Sequence, residues 1–495
     1  MQSAAGAVAL GELGFLGRLP SVSAAEAKLP AELVRFHPDI EPLVRLLEET
    51  PRERVLEEVA MRVRRGLSYR EVLAALLLAG VRSVQPRPVG FKFHAVLVVN
   101  SAHLASLASP DAERWLPIFW AIDQFKSSQA ANVKEGNWHL GPVDEAAVPK
   151  SDKAKARFIE AMDNWDEGAA DAAVVGLART AGADELFEIF ARYGARDFRD
   201  IGHKAIYVAN SFRTLEVIGW QHAEAVLRSL AYALLDRSRD KENPAKADLP
   251  ADRPFRQNLE RLGRIDAGWL DGQRSEGATK DLLAAVRMGA PEDLSELTVK
   301  LINAGAAPQS IFDGLFDGAG ELLMQAPGIL SLHAMTFTNA VHYAWHRTRN
   351  DELRRLLLLQ NAAFLPLYRG DRPDKEALHI DSLEPLATEA KGDEAVAEIF
   401  AEIGKDRLKA ARKVLGYLQT ADGSAKAIAD AARRLIFLKG NNSHDYKFSA
   451  AVLEDYERLA APWRDRLLAA SVFYLRGSGE PDNELVRRTR SALGV

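Results

Sequence analysis

Apolar positions recur along most of this chain at intervals of three and four, the period of a helix with one buried face. Residues 52–65 show it plainly: Val55, Val59 and Val63 fall on one stripe, with acids ahead of bases. The same period predicts helices over 154–162, 171–178, 185–193, 223–235, 279–288, 293–303, 352–364, 394–403, 407–418 and 425–437, with Gly, Pro, Asp and Asn between them. Residues 96–99 (Val-Leu-Val-Val) have strand character, but the matching stretch 335–338 sits in a run of Ala, Asn and His suited to a helix. The expected fold class is all-α.

A second pattern lies over the first. His94-Ala95, Asn100 and His103 reappear 239 residues later as His333-Ala334, Asn339 and His342. His139 is answered by His379 at an offset of 240, and His203 by His444 at 241. The stretch beginning Gly66 faces the one beginning Gly305 in the same register, each opening a helix. Eight of the eleven histidines thus form four ordered pairs, which points to an internal duplication of two similar helical halves about a pseudo-two-fold axis. The polar segment 237–254, with three prolines and alternating charge, suits a linker between a first half, 28–236, and a second, 255–495.

Residues 1–27 stand apart. A mildly apolar stretch followed by small residues resembles an export signal of the twin-arginine kind, without the arginine pair. That reading implies an exported or periplasmic protein; the other, a loose Ala/Gly-rich arm, implies a cytoplasmic one. Composition narrows the chemistry further. A length of 495 residues and 47% hydrophobic content suit two domain-sized cores. A net charge of −5 without a basic stripe argues against nucleic acid as a partner, and no apolar run reaches the length of a membrane span. The chain has no cysteine, so disulfides, thiolate metal sites and covalently attached haem are excluded.

What the duplication retains is imidazole, and surface drift would not favour that. The metal-ligand candidates are His94, His103, His139, His203, His333, His342, His379 and His444; the catalytic candidates are His103, His203, His342 and His444 with Asn100 and Asn339. His94 and His103 are nine apart, about 13 Å along one helix, and cannot chelate one ion from it. The expected arrangement is therefore His103 approaching His203 in one half and His342 approaching His444 in the other, with the asparagines orienting a ring or a bound molecule. His203 and His444 each follow a small residue and open a helix, a position that disfavours the imidazolium and keeps the ring available as base or ligand. An imidazole-rich site suits Fe, Cu, Zn or Ni rather than Mg or Ca, and a noncovalent haem is a further cofactor candidate. The structural alternative is that these side chains cap helices and tie buried carbonyls. His342 and His346, four apart, lack a counterpart in the first half and read as a helix-surface pair.

The modules Asn100-Ser101-Ala102-His103, Gly202-His203-Lys204-Ala205-Ile206, His333-Ala334 with Thr336 and Thr338-Asn339-Ala340, and His444-Asp445-Tyr446-Lys447 resemble the questin oxidase-like family of helical proteins. The resemblance would span residues 60–480. It implies an oxidoreductase of the kind proposed to open aromatic polyketide rings by Baeyer–Villiger-type oxidation. No flavin or nicotinamide motif accompanies it, so oxygen activation would require a metal, a noncovalent cofactor or the substrate itself. Two function classes follow. One is an oxidoreductase-like enzyme acting on an apolar or aromatic small molecule in a histidine-lined pocket, walled by Trp120, Trp138, Tyr207 and Tyr343. The other is a non-catalytic metal- or haem-binding protein or helical scaffold.

Overall fold

The computed structural model describes residues 40–109, 111, 114–483 and 485. The signal-like segment 1–27 lies outside them. Among the described residues the chain is all-helical, with one isolated parallel bridge between Gln273 and Ala306 and no strand. Every segment assigned a helix from its period falls on one, within a few residues at each end. None of the described helices is long and apolar enough to cross a membrane.

Eight helices position the site: α1 (Tyr69–Ser83), α2 (His94–Ala108), α3 (Trp115–Lys134), α4 (His203–Ile218), α5 (Pro308–Gln325), α6 (Ile329–Arg347), α7 (Asp351–Arg369) and α8 (Ser443–Asp455). Helices α2, α4, α6 and α8 form a closed ring in which α2 packs on α4, α4 on α6, α6 on α8 and α8 on α2. Around this ring α1 and α3 cover α2, while α5 and α7 cover α6. The ring helices are buried on almost every side: α2 is buried from His94 through His103, and α6 from Ser331 through His342. Burial all round explains why the valines at 96, 98 and 99 are helical despite their strand preference, since tertiary packing overrides a propensity worth only tenths of a kcal/mol per residue.

The ring helices run in one direction. Their histidines meet at one end, and residues three to ten positions further along each helix line a common chamber deeper in the ring. Parallel neighbours cannot be joined by short turns, so the chain leaves the ring and returns through outer helices, which places the histidines of successive ring helices more than a hundred residues apart. The segments on either side of 237–254 contribute to one continuous buried core. Residues 237–254 are themselves tied down, with the Arg199 guanidinium bonded to Asp240 (2.6 Å) and bidentate to Asp252 (2.7 and 2.8 Å).

The chain enters α4 through an unusual turn. Asp200 (φ 55°) and Ile201 (φ 47°) are left-handed, and Gly202 follows at φ 82°. A Cβ at Gly202 would lie 2.3 Å from Tyr368 Oη and 2.8 Å from Phe337 Cδ2. Gly66 has a comparable positive φ (104°) but open space around it. Gly66→Ala is therefore expected to cost about 1 kcal/mol, from backbone strain alone. Gly202→Ala should cost about 2 kcal/mol or more, because overpacking against α6 and α7 adds to the strain. Urea denaturation of the two variants would decide it, and equal losses would contradict the packing account.

Candidate metal centre

Each ring helix presents a histidine at or near its first turn, and local backbone geometry fixes most of the rings. His94 follows the 3-10 turn Phe91–Phe93, and its Nδ1 lies 2.8 Å from the Phe91 carbonyl oxygen. His203 Nδ1 lies 2.6 Å from the carbonyl of Asp200, which the left-handed turn brings back over the helix start. His333 Nδ1 lies 2.6 Å from the Ile329 carbonyl, one turn before it in α6. A carbonyl oxygen only accepts, so each Nδ1 carries the proton and each Nε2 is left with a bare lone pair. The fourth ring, His444, opens α8 behind the cap residue Asn442, whose side chain accepts from the His444 backbone N–H.

Those lone pairs face one another. His203 Nε2 lies 3.0 Å from His94 Nε2 and 2.8 Å from His333 Nε2, and one nitrogen from each of the four rings falls within 4.8 Å of the others. His444 Nε2 is buried with no hydrogen-bond partner. At Gly90 (φ 139°) the absence of a side chain admits the His203 ring, since a Cβ there would sit 3.1 Å from its Cε1. Burial holds the pKa of His94, His203 and His333 well below the ordinary imidazole value and that of His444 down at about 3, with repulsion from Lys447 adding in every case. Rings held neutral in this way keep their lone pairs open to a metal ion. This buried group of four histidines could hold one.

A cavity of about 340 Å³ opens from the group. His94, His203 and His444 reach its wall, alongside Val89, Phe91, Ile201 and Ile329, with Gln124, Asp200, Arg239, Asn442 and Ser443 as its polar lining. Phe91 and Ile329 are 71% and 54% exposed, giving the mouth an apolar lip. The Asp200 carboxyl is pushed up to about 6 by burial and then by Asp236, and its Oδ2 is buried without a partner. On the other side of the imidazoles lies a chamber of about 10 Å³, lined by Asn100, Ser101, Asn210, Thr336, Asn339 and Lys447 among others. Lys447 is fully buried one turn beyond His444, its Nζ has no hydrogen-bond partner, and burial lowers its pKa to about 7.

The structure thus brings together His94, His203, His333 and His444 and disperses the other four metal candidates. The expected pairing of His103 with His203 and of His342 with His444 is corrected: His94 and His333 take those places. The reason is the helical rise already noted, which carries His103 about 13 Å down α2 from the helix start where His203 sits. His103 Nδ1 instead pairs with Tyr69 Oη at 2.9 Å. His342, wedged against Phe312 and Phe316, meets His346 through their Nε2 atoms at 3.0 Å. His139 is exposed, with Nδ1 on the Asn137 carbonyl. His379 bonds Asp374 at 2.7 Å, near Glu321, and Glu321 is itself neutralised by a bidentate bond from Arg287.

Asn100 and Asn339 line the inner chamber and orient no imidazole. Asn100 Nδ2 donates weakly to Asn210 Oδ1 (3.5 Å), while Asn339 Nδ2 donates to Glu454 (3.0 Å) and Asp455 (2.7 Å). None of the four expected aromatic walls lines the cavity. Trp120 stacks on Tyr446, Trp138 on Tyr232, Tyr207 donates to Ser229, and Tyr343 lies against the Arg213 guanidinium. Sequence reasoning assigned no role to Lys447, Asp200, Phe91 or Ile329. Lys447 had a readable signal, a lysine three residues past a candidate histidine and so on the same face of its helix.

The depressed imidazole pKa values fix a pH dependence for the metal-free protein. In the unfolded chain each ring takes up a proton near 6.5. In the folded chain it does so far lower, so between the two values the unfolded state binds more protons. Stability is therefore fully present above about pH 6.5 and is lost as pH falls through the window that ends at about 3 for His444. His444→Leu should flatten the slope of unfolding free energy against pH in this window, as read by urea titrations at stepped pH. An unchanged slope would contradict the buried neutral imidazole.

Comparison with protein-family models, with curated proteins and with solved structures finds no match to this chain.

Proposed function

We propose that the four histidines bind one transition-metal ion, and that the protein is an oxidoreductase-like enzyme acting on an apolar or aromatic small molecule held in the adjoining cavity. One observation carries this reading: three imidazoles are locked by their Nδ1 bonds with Nε2 lone pairs turned to one another at 2.8 and 3.0 Å, and the fourth Nε2 is buried without a partner. Bare lone pairs at that distance repel, and ligation turns the repulsion into bonds. Four imidazoles with no carboxylate among them suit Fe, Cu, Ni or Zn. Metal–nitrogen bonds of about 2.0–2.1 Å place neighbouring nitrogens roughly 2.9 Å apart at a right angle and about 3.4 Å apart in a tetrahedron. The observed spacing matches the right angle, which favours Fe, Cu or Ni.

A haem fits less well, because four rings within 4.8 Å of one another occupy the space a porphyrin would need. An internal duplication about a pseudo-two-fold axis accounts for the equivalent positions of His94 with His333 and of His203 with His444, with the ion on the axis. The apolar cavity supports a small-molecule substrate, since pockets of this size and character bury such ligands against a few polar groups. The oxidative character of the reaction rests on the resemblance to questin oxidase-like proteins together with the redox-capable metals the donor set favours.

The test is elemental analysis of the purified chain. About one metal ion per chain is expected, removable by a chelator, lost in His203→Ala and His333→Ala, and retained in His103→Ala and His342→Ala. Metal-free protein after reconstitution with Fe, Cu, Ni and Zn, or equal metal content in all four variants, would end the metal reading.

A further inference from the structure

The charge around the histidine centre is one-sided. Its four donors are neutral rings, and no carboxylate falls within the ligand group. Lys447 lies one helical turn from His444, fully buried, with an Nζ that no acceptor satisfies, and its charge is felt by all four imidazoles. The ring helices α2, α4, α6 and α8 also begin at this end, so four sets of partly positive N-termini point the same way. Of the acids deeper in the ring, Glu454 is engaged by Arg213 and Asn339, and Asp455, bonded by Asn339 through one oxygen and unpartnered at the other, is pushed towards its uncharged form by burial. Among the described residues, the acid on the cavity wall is Asp200. A divalent ion placed here adds two more positive charges to a buried region whose cavity wall offers only the single carboxylate of Asp200 against them, and buried charge left uncompensated is costly.

We infer that the coordination position facing the cavity is built to take an anion, so that the substrate is an apolar molecule that turns an ionised oxygen to the metal. The inference rests on the metal reading above. Neutral imidazoles cannot balance the ion and Asp200 can offset at most one of its two charges, so the exogenous ligand supplies the rest. The cavity divides accordingly: Val89, Phe91, Ile201 and Ile329 take the apolar body, and the floor takes the charge. Lys447 touches the ligand from neither side. It acts through the imidazole layer, as a positioning charge in the chamber behind it.

The probe is azide, added to the copper(II)-loaded full chain at about pH 6. Azide binding is followed by its charge-transfer absorption, and benzoate and its neutral analogue benzamide are then added as competitors. Azide is expected to bind, benzoate to displace it, and benzamide to leave it in place. Lys447→Met should weaken azide by about tenfold or more, and Asp200→Asn should strengthen it severalfold, because the two substitutions remove charges of opposite sign. Lys447→Met replaces an unpartnered buried amine by an apolar chain of similar length, so it should fold; Asp200→Asn supplies the opposite sign independently. His333→Ala controls for copper held elsewhere. Copper retained without azide binding, or azide affinity indifferent to both substitutions, would overturn the anion site and leave the metal reading standing. Failure of the wild-type chain to hold copper or any other ion would overturn both.

Discussion

Three short hydrogen bonds, each closing within four residues of its own histidine, set the chemistry of the molecule's centre. By donating Nδ1–H to the carbonyls of Phe91, Asp200 and Ile329, the rings of His94, His203 and His333 surrender their only proton on the side away from the cluster. Tautomer and orientation are decided locally, before any long-range contact is considered. Long-range packing then brings the three bare nitrogens to one place. Had the protons sat on Nε2 instead, the same four helices would enclose a knot of mutually donating rings with nothing to accept from them.

The parallel ring around that centre explains features that otherwise look unrelated. Four helices beginning at one point concentrate partly positive N–H groups there, so an imidazolium is disfavoured by the helix ends as well as by burial. The strained entry to α4 follows from the same geometry: Asp200 must carry its carbonyl back over His203, and the left-handed conformations of Asp200 and Ile201 accomplish it. Strain of this kind costs about 1–3 kcal/mol per residue and persists where surrounding structure enforces it. Here Tyr368 Oη, donating to the Ile201 carbonyl at 3.1 Å, is part of the enforcement.

Much of the fold was legible in the sequence because it is helical throughout, and the three-and-four spacing of Val55, Val59 and Val63 is a direct imprint of one buried face. The ring helices were harder, since α2 and α6 are buried all round and show no polar face to give the period away. For the site, the ordered histidine pairs marked the elements that carry the cluster and, within a larger set of eight, the four histidines that meet in it. The choice among them failed at His103 and His342 because spacing along a helix says which residues share a face but not which end of the helix meets its neighbours. Knowing that all four helices start together would have selected His94, His203, His333 and His444 at once. Lys447 stood in a quoted module yet carried no role, because its lack of a partner is a property of packing and invisible in a one-dimensional string.

The ring's parallel course has a consequence for assembly. Its crossovers put 109 residues between His94 and His203 and 130 between His203 and His333, and the fourth ring comes from near the far end of the described chain. Contacts so distant in sequence form late, after the entropy of closing long loops has been overcome. No fragment ending before α6 contains more than two of the four rings, and no local excursion of one helix can open the cluster without breaking the ring. Occupancy of this centre by a metal ion would therefore report on the whole chain at once, and a translating or partly unfolded molecule would have nowhere to hold one.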